Sequence, residues 1–257
     1  MQAQTRFTVG CDPEFFLIDR DKGQYCSAHD LVPGSKDKPH ILKYGAVQVD
    51  GTAVEFNTDP AHTEDEFVHN VTEVMAQIRA MIPKRYDFYF RPFVKYSTPY
   101  FKSLPREAVE LGCNPDYNAY TFDKNPSPNA EHTIRTASGH IHLGWARDTP
   151  EITREHIMFC GRLSRNLDVT LGLPSLAWDR DPVRRELYGK AGAYRPKPYG
   201  VEYRTLSNVW ITDEGLMRRV YQGAIEGAED FFEKGPGCKF MQMRADDIQR
   251  RINGANE

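Results

Sequence analysis

The sequence predicts an α+β fold with a largely antiparallel sheet, and three observations predict it. Residues 46–56 read as a hairpin, because Asp50-Gly51 is a turn signal between two β-branched runs. A long amphipathic helix follows that hairpin. Strands and helices then mix without the strict βαβ alternation that a parallel sheet requires.

The elements follow in order. Residues 7–18 read as a strand interrupted at Pro13. Thr63 and Glu66 have the spacing of a capping box, and Phe67, Val71, Val74, Met75, Ile78 and Ile82 recur at helical spacing up to Pro83. Residues 86–96 are aromatic and strand-like. Residues 97–133 are rich in Pro, Asn and Asp and read as a long loop of the kind that often carries function. Residues 138–145 alternate as a strand. Pro150 opens a helix carrying Ile157, Leu163 and Leu167, which ends near Gly172 and Pro174. Residues 179–198 read as a polar, basic loop and 199–206 as another strand. A last major helix spans about 213–232, closed by Gly235-Pro236, and the charged tail from Ala245 reads as a short surface helix.

Composition narrows the class. The 257 residues are 40% hydrophobic and 27% charged, as in an ordinary globular protein, and one domain over 1–257 is expected. A formal net charge of −3 gives no support to broad nucleic-acid binding, although the bases between Arg180 and Arg204 allow a local anion site. Five cysteines without a CxxC pair suggest neither a disulfide framework nor a zinc ribbon. Free thiols, a polar start and no apolar run of membrane-spanning length lead us to expect a cytoplasmic protein.

Four segments carry candidate chemistry. In Gly10-Cys11-Asp12-Pro13-Glu14, the two acids share a strand face and repel unless a cation or proton lies between them. In Val54-Glu55-Phe56-Asn57, Glu55 and Asn57 share a face among apolar neighbours. In Ser138-Gly139-His140-Ile141-His142, two imidazoles project together. In Gly200-Val201-Glu202-Tyr203-Arg204, Glu202 and Arg204 do so. Upstream, Arg184, Arg185, Lys190 and Arg195 alternate with Gly and Ala, which gives phosphate donors and backbone access without the Walker spacing. Singly, each segment also fits a bland reading: solvated acids, core histidines, a cross-strand ion pair, a solvated loop. Together they describe oxygen-rich ligation suited to Mg²⁺ or Mn²⁺, with arginines placed for nucleotide phosphates.

These runs also carry a resemblance. GCDPEFFLID is similar to the opening strand of bacterial and plant glutamate–cysteine ligases, and SGHIHLGW to the HxH strand of those enzymes and of glutamine synthetases. With VDGTAVEFNTDPA, GCNPDYNAY and GKAGAYRPKPYGVEYRT, the set most resembles phage-type carboxylate–amine ligases, type two, of the glutamine-synthetase-like superfamily. The resemblance implies a curved antiparallel sheet with flanking helices that holds ATP and two or three Mg²⁺ or Mn²⁺ ions. It implies Asp12, Glu14, Glu55, His140 and Glu202 as metal ligands, and His142, Arg185, Lys190, Arg195 and Arg204 as nucleotide contacts. Arg195, Arg204 and Asp50 are the implied catalytic residues, with Asp116 a candidate for binding the amine. Asp12 stands where relatives often have Glu.

The implied reaction joins a carboxylate to an amine through an acyl phosphate. Small-molecule or peptide acids and amines are the expected partners, and a homo-oligomer is compatible. A metal-dependent hydrolase or phosphatase using the same acids and histidines is the alternative, and a non-catalytic nucleotide- or peptide-binding module is a third reading.

Overall fold

The computed structural model describes residues 6–109, 116–126, 133–145 and 151–254. Its strands are β1 (Thr8–Asp19), β2 (Gln24–Cys26), β3 (His40–Leu42), β4 (Gly45–Asp50), β5 (Ala53–Thr58), β6 (Tyr86–Tyr89), β7 (Phe93–Lys95), β8 (Tyr117–Asn118), β9 (Ile134–Thr136), β10 (Gly139–Gly144), β11 (Ala193–Lys197) and β12 (Gly200–Tyr203). Its helices are α1 (Glu64–Met81), α2 (Thr98–Ser103), α3 (Arg106–Val109), α4 (Arg154–Leu167), α5 (Leu173–Ser175), α6 (Pro182–Leu187), α7 (Glu214–Lys234) and α8 (Ala245–Ile252). The architecture is α+β with a mainly antiparallel sheet and flanking helices.

A ten-stranded sheet runs in the order β3-β4-β5-β1-β10-β12-β11-β8, with β2 and β6 also paired to β1. The alternation of β1 divides its two faces. Val9, Cys11, Phe15 and Leu17 turn into the main core, where they join Ile141, Leu143, Val201 and Tyr203 from the neighbouring strands. Apolar stripes of α1, α4 and α7 cover that face: Phe67, Val71 and Val74 from α1, Leu163 from α4, and Val220 and Ala224 from α7. Asp12 and Glu14 therefore turn to the opposite face. No helix among the described residues is long and apolar enough to cross a membrane.

Local signals explain the regular pieces. Gly51 adopts φ +56° in the turn joining β4 to β5, a left-handed conformation that glycine tolerates without a Cβ penalty. At the start of α1, the Glu66 N–H donates to Thr63 Oγ1 at 3.2 Å. The returning bond differs from a standard capping box, because Glu66 Oε2 accepts from the His62 N–H at 2.7 Å, one residue before the cap.

Several expectations need correction. β1 runs unbroken through Pro13. The N–H groups of Val9 and Cys11 point to Ala61 and Thr58, whereas the Glu14 N–H points to Ser138 on the other edge. The Pro13 nitrogen thus faces the β5 side, where pairing with β5 begins only at Glu14. The strand expected over 86–96 is two, β6 and β7, separated around Pro92. The long loop contains α2, α3 and β8, with residues 110–115 and 127–132 outside the described residues. A helix start at Pro150 also lies outside them; α4 is capped by Thr153, which accepts from the His156 N–H at 3.2 Å.

The basic loop over 179–198 is instead α6 followed by β11, and the strand expected to 206 ends at Tyr203. Asp181 caps α6 and Pro182 occupies its first turn, a start signal that the sequence already carried. The tail helix α8 docks through Ile248 and Ile252, both fully buried. Burying each contributes roughly 1.5–3 kcal/mol, enough to hold so short a helix on the body.

Candidate active site

Register brings the candidate residues together. Asp12 lies opposite His140, His142 opposite Glu202, and Glu202 opposite Arg195. Period-two alternation then places all five side chains on the face turned away from the helices. Asp12 Oδ1 is 3.1 Å from His140 Nδ1, and Asp12 Oδ2 is 3.1 Å from His142 Nε2. Glu202 Oε1 is 3.6 Å from His140 Nδ1. One donor atom each from Asp12, His140 and Glu202 fall within 4.8 Å of one another.

Electrostatics fit a cation there. Burial raises the Asp12 carboxyl, but His142 and His140 outweigh that and hold it well below the usual carboxylate range. Burial, helped by Arg204, lowers His140 to about 4 against the pull of Asp12 and Glu202. Its ring is therefore neutral at neutral pH, the form that ligates metals. Neighbouring ligands of an octahedral ion at about 2.1 Å stand about 3 Å apart, close to the 3.1 and 3.6 Å that separate His140 from Asp12 and Glu202.

Glu202 is fully buried and gathers positive charge. Lys197 Nζ lies 2.8 Å and Arg195 Nη1 3.2 Å from Oε2, and Arg204 pairs with Oε1. Arg204 also donates through Nε to Asp116 Oδ2 at 3.3 Å. A carboxylate of the metal-type triad is thus ringed by two guanidiniums and an ammonium, groups that bind phosphate oxygens.

Glu14 and Glu55 form a second acid centre. They are direct partners across β1 and β5, and Asp50 projects from the same face of β4. Burial raises Glu14 well above its ordinary range, and the charges of Asp50 and Glu55 add to it. Burial raises Glu55 to about 8, with Asp12 and Asp50 adding. Asp50 is raised too, first by burial, although Lys36 and Arg204 pull the other way. Such acids hold a proton or a cation among them. Ser138 N–H donates to Glu14 Oε2 at 2.9 Å, and Gln48 donates to Glu55 Oε2 at 2.7 Å.

Two expected nucleotide contacts stand elsewhere. Arg185 is buried and bonds the carbonyl and carboxylate of Asp179 at 3.0 and 3.3 Å, so its guanidinium serves the α6 region instead of the cluster. Lys190 is exposed on the turn before β11, where its carbonyl accepts from Thr205 and Ala193. Asp116 is buried between Arg204 and Asn125, which makes it an orienting partner of Arg204.

Sequence reasoning missed Lys197 and Tyr199. Lys197 sits one step along β11 on the Arg195 face, a placement that the period of two signals once β11 is known. Tyr199 hydrogen-bonds His142 Nδ1 and stacks on its ring with centroids 6.0 Å apart. Both line a cleft of about 590 Å³ beside the cluster, with Asp12, Glu55, Asn57 and His142. The volume lies within the usual range of small-molecule sites.

A family model described as "Phage phiEco32-like COOH.NH2 ligase-type 2" matches residues 134–225. The match supports a carboxylate–amine ligase. It covers less than half of the chain, from β9 into α7, and includes His140, His142, Lys197, Glu202 and Arg204. Asp12, Glu14, Asp50 and Glu55 lie outside it. Among curated proteins, none matches the chain by sequence. A crystal structure of a bifunctional glutathione synthetase from Pasteurella multocida is similar at a TM-score of 0.42 and 11% identity, over 88% of this chain. The chain spans 40% of that protein's length.

Proposed function

We propose that the chain is an ATP- and Mg²⁺-dependent carboxylate–amine ligase, a single catalytic domain with a glutamine-synthetase-like fold. The observation that carries this reading is the convergence of Arg195, Lys197 and Arg204 on Glu202, beside the Asp12–His140–Glu202 donor set. A hydrolase of amides or peptides needs the acids and histidines but not three phosphate-binding cations at one edge of them; a phosphatase shares those cations and differs in needing no ATP.

In this reading Asp12, His140 and Glu202 would hold one divalent ion, and Glu14 and Glu55 would hold a second; such ions would supply charge neutralisation for the transferring phosphoryl group. A substrate carboxylate oxygen attacks the γ-phosphorus, ADP leaves, and an acyl phosphate forms. The amine, having lost a proton, attacks the acyl carbon and inorganic phosphate leaves. Arg195 and Arg204 bind the phosphoryl oxygens, and their planar forks match that geometry. His142, which lines the cleft, would lie next to the phosphates. Asp50, whose carboxyl is raised by burial, would take the amine proton.

The test is incubation with ATP, Mg²⁺ and pooled amino acids and polyamines, read by mass spectrometry. ADP with a condensed product supports the ligase. Phosphate release from phosphomonoesters or hydrolysis of amides without ATP would replace it with the hydrolase reading.

A further inference from the structure

Arg184 is a fully buried cation on α6 that the proposed chemistry leaves unused. Its hydrogen bonds go to neutral oxygens. Nη1 donates to Thr205 O at 2.8 Å, and Nη2 donates to Leu206 O at 2.8 Å, Ser138 Oγ at 3.0 Å and Arg204 O at 3.3 Å. Gly189 admits the group: it adopts φ +73°, and a Cβ there would stand 2.2 Å from Nη1. Burying a guanidinium costs desolvation that an apolar side chain of similar volume avoids, so geometry is what Arg184 supplies.

That geometry connects two parts of the site. The three carbonyls belong to the segment after β12 that presents Arg204. Ser138 is the residue whose N–H holds Glu14 Oε2 and whose carbonyl accepts from the Glu14 N–H at 2.8 Å. Asn208, just beyond the same segment, donates to Glu14 O at 2.9 Å. One planar fork thus sets the backbone of Arg204 against the anchor of Glu14.

We propose that Arg184 is a positioning residue, which fixes the phosphate-facing Arg204 relative to the second acid centre at Glu14. The proposal rests on the ligase reading for its effect on rate, and on the structure alone for the tie between the two segments.

The test uses the full chain with Arg184→Met and Arg184→Lys. Hydrogen exchange is followed in peptides covering residues 134–145 and 200–212 and compared with α1. In the Met variant, exchange in both segments should quicken by at least about tenfold while α1 is unchanged. Lys, with three donors and no planar fork, should restore protection only in part. ADP formation from ATP and Mg²⁺ with pooled amino acids and polyamines should show kcat about 100-fold lower in the Met variant, with KM for ATP within about threefold of wild type.

A merely structural arginine would lower the melting temperature and leave kcat per folded molecule unchanged, and that result overturns the proposal. Unchanged exchange in the two segments overturns it, as does acceleration spread equally over α1. If the Met variant does not fold, the Lys variant decides: a native circular dichroism spectrum with lowered kcat supports the role, and wild-type kcat removes it. If the wild-type protein forms no ADP, the ligase reading fails, and the exchange comparison alone decides whether Arg184 ties the segments.

Discussion

Glu202 lies directly opposite Arg195 across the β11–β12 pair, with Arg195 Nη1 3.2 Å from Glu202 Oε2. A fully buried carboxylate is thereby joined to a guanidinium that reaches the cleft side of the sheet. Lys197 and Arg204 complete the ring, and this arrangement governs what removal of Glu202 does.

Glu202→Gln should abolish most activity and also lower stability. Considered as one acid in a crowded cluster, Glu202 would relieve repulsion when neutralised. The three cations around it reverse that expectation, because Gln leaves Arg204 buried with less compensation. Arg195 and Lys197 are partly exposed and contribute less. A loss on the order of 1–3 kcal/mol is expected in denaturant titration, with rates down at least about 100-fold. A variant more stable than wild type would contradict the pairing.

Arg204→Lys should fold and lose rate. The arginine spans Glu202 and Asp116 with different nitrogens, which a single ammonium cannot do. We expect kcat lower by about 10- to 100-fold at saturating ATP. Asp116→Asn should show a smaller loss in the same direction, since it orients Arg204 from the other side. Wild-type kcat in the Lys variant would leave the fork without a role.

Chelation should abolish activity, and Mg²⁺ or Mn²⁺ should restore it. Protons compete with the ion at the second acid centre, so Mg²⁺ affinity should rise with pH up to about 8, where Glu55 titrates. The sign for stability is opposite. With a chelator present, the folded state binds more protons than the unfolded state from the ordinary Glu value of 4.5 up to about 8. Stability from this group is therefore present at low pH and lost as pH rises through that window. Thermal melts of wild type and Glu55→Gln at several pH values test this, and the Gln variant should have the flatter profile.

Nucleotide products report the order of events. ATP with the acid substrate alone should give slow ADP release, as water replaces the amine at the acyl phosphate. The residue set of two arginines, a lysine and the acid–histidine donors suits a γ-phosphoryl group in flight. Chromatography that finds AMP and pyrophosphate as the only nucleotide-derived products would replace phosphorylation with adenylation.

Asp168 tests the packing beneath the site. Its buried carboxylate accepts from Tyr203 at 2.6 Å and from Tyr120 at 2.7 Å, and burial raises it to about 6. Stability from this group should fall as pH rises from the ordinary Asp value of 3.8 to about 6. Asp168→Asn should lack that dependence, and urea titrations at the two ends of the window measure it. An unchanged pH slope in the Asn variant would remove Asp168 from the account.

The sequence by itself determined the local pieces. Asp50-Gly51 specifies a hairpin turn, Thr63 a helix start and Gly235-Pro236 a helix end, because each depends on the φ/ψ and hydrogen-bonding capacity of neighbouring residues. The period of two puts Asp12 with Glu14, His140 with His142 and Glu202 with Arg204 from the sequence alone. What only the tertiary structure decided was register and burial. His140 meets Asp12, and Glu202 meets Arg195, because the apolar faces of β1, β10, β11 and β12 lock against α1, α4 and α7 in one alignment. The division of the acids into a centre at Asp12 and another at Glu14 follows from that alignment. A run of bases such as Arg184, Arg185 and Lys190 reads alike whether solvated or buried, because the oxygens that receive a guanidinium come from distant segments. For Arg184 those are the carbonyls of Arg204, Thr205 and Leu206 and the hydroxyl of Ser138, and only folding brings them to it.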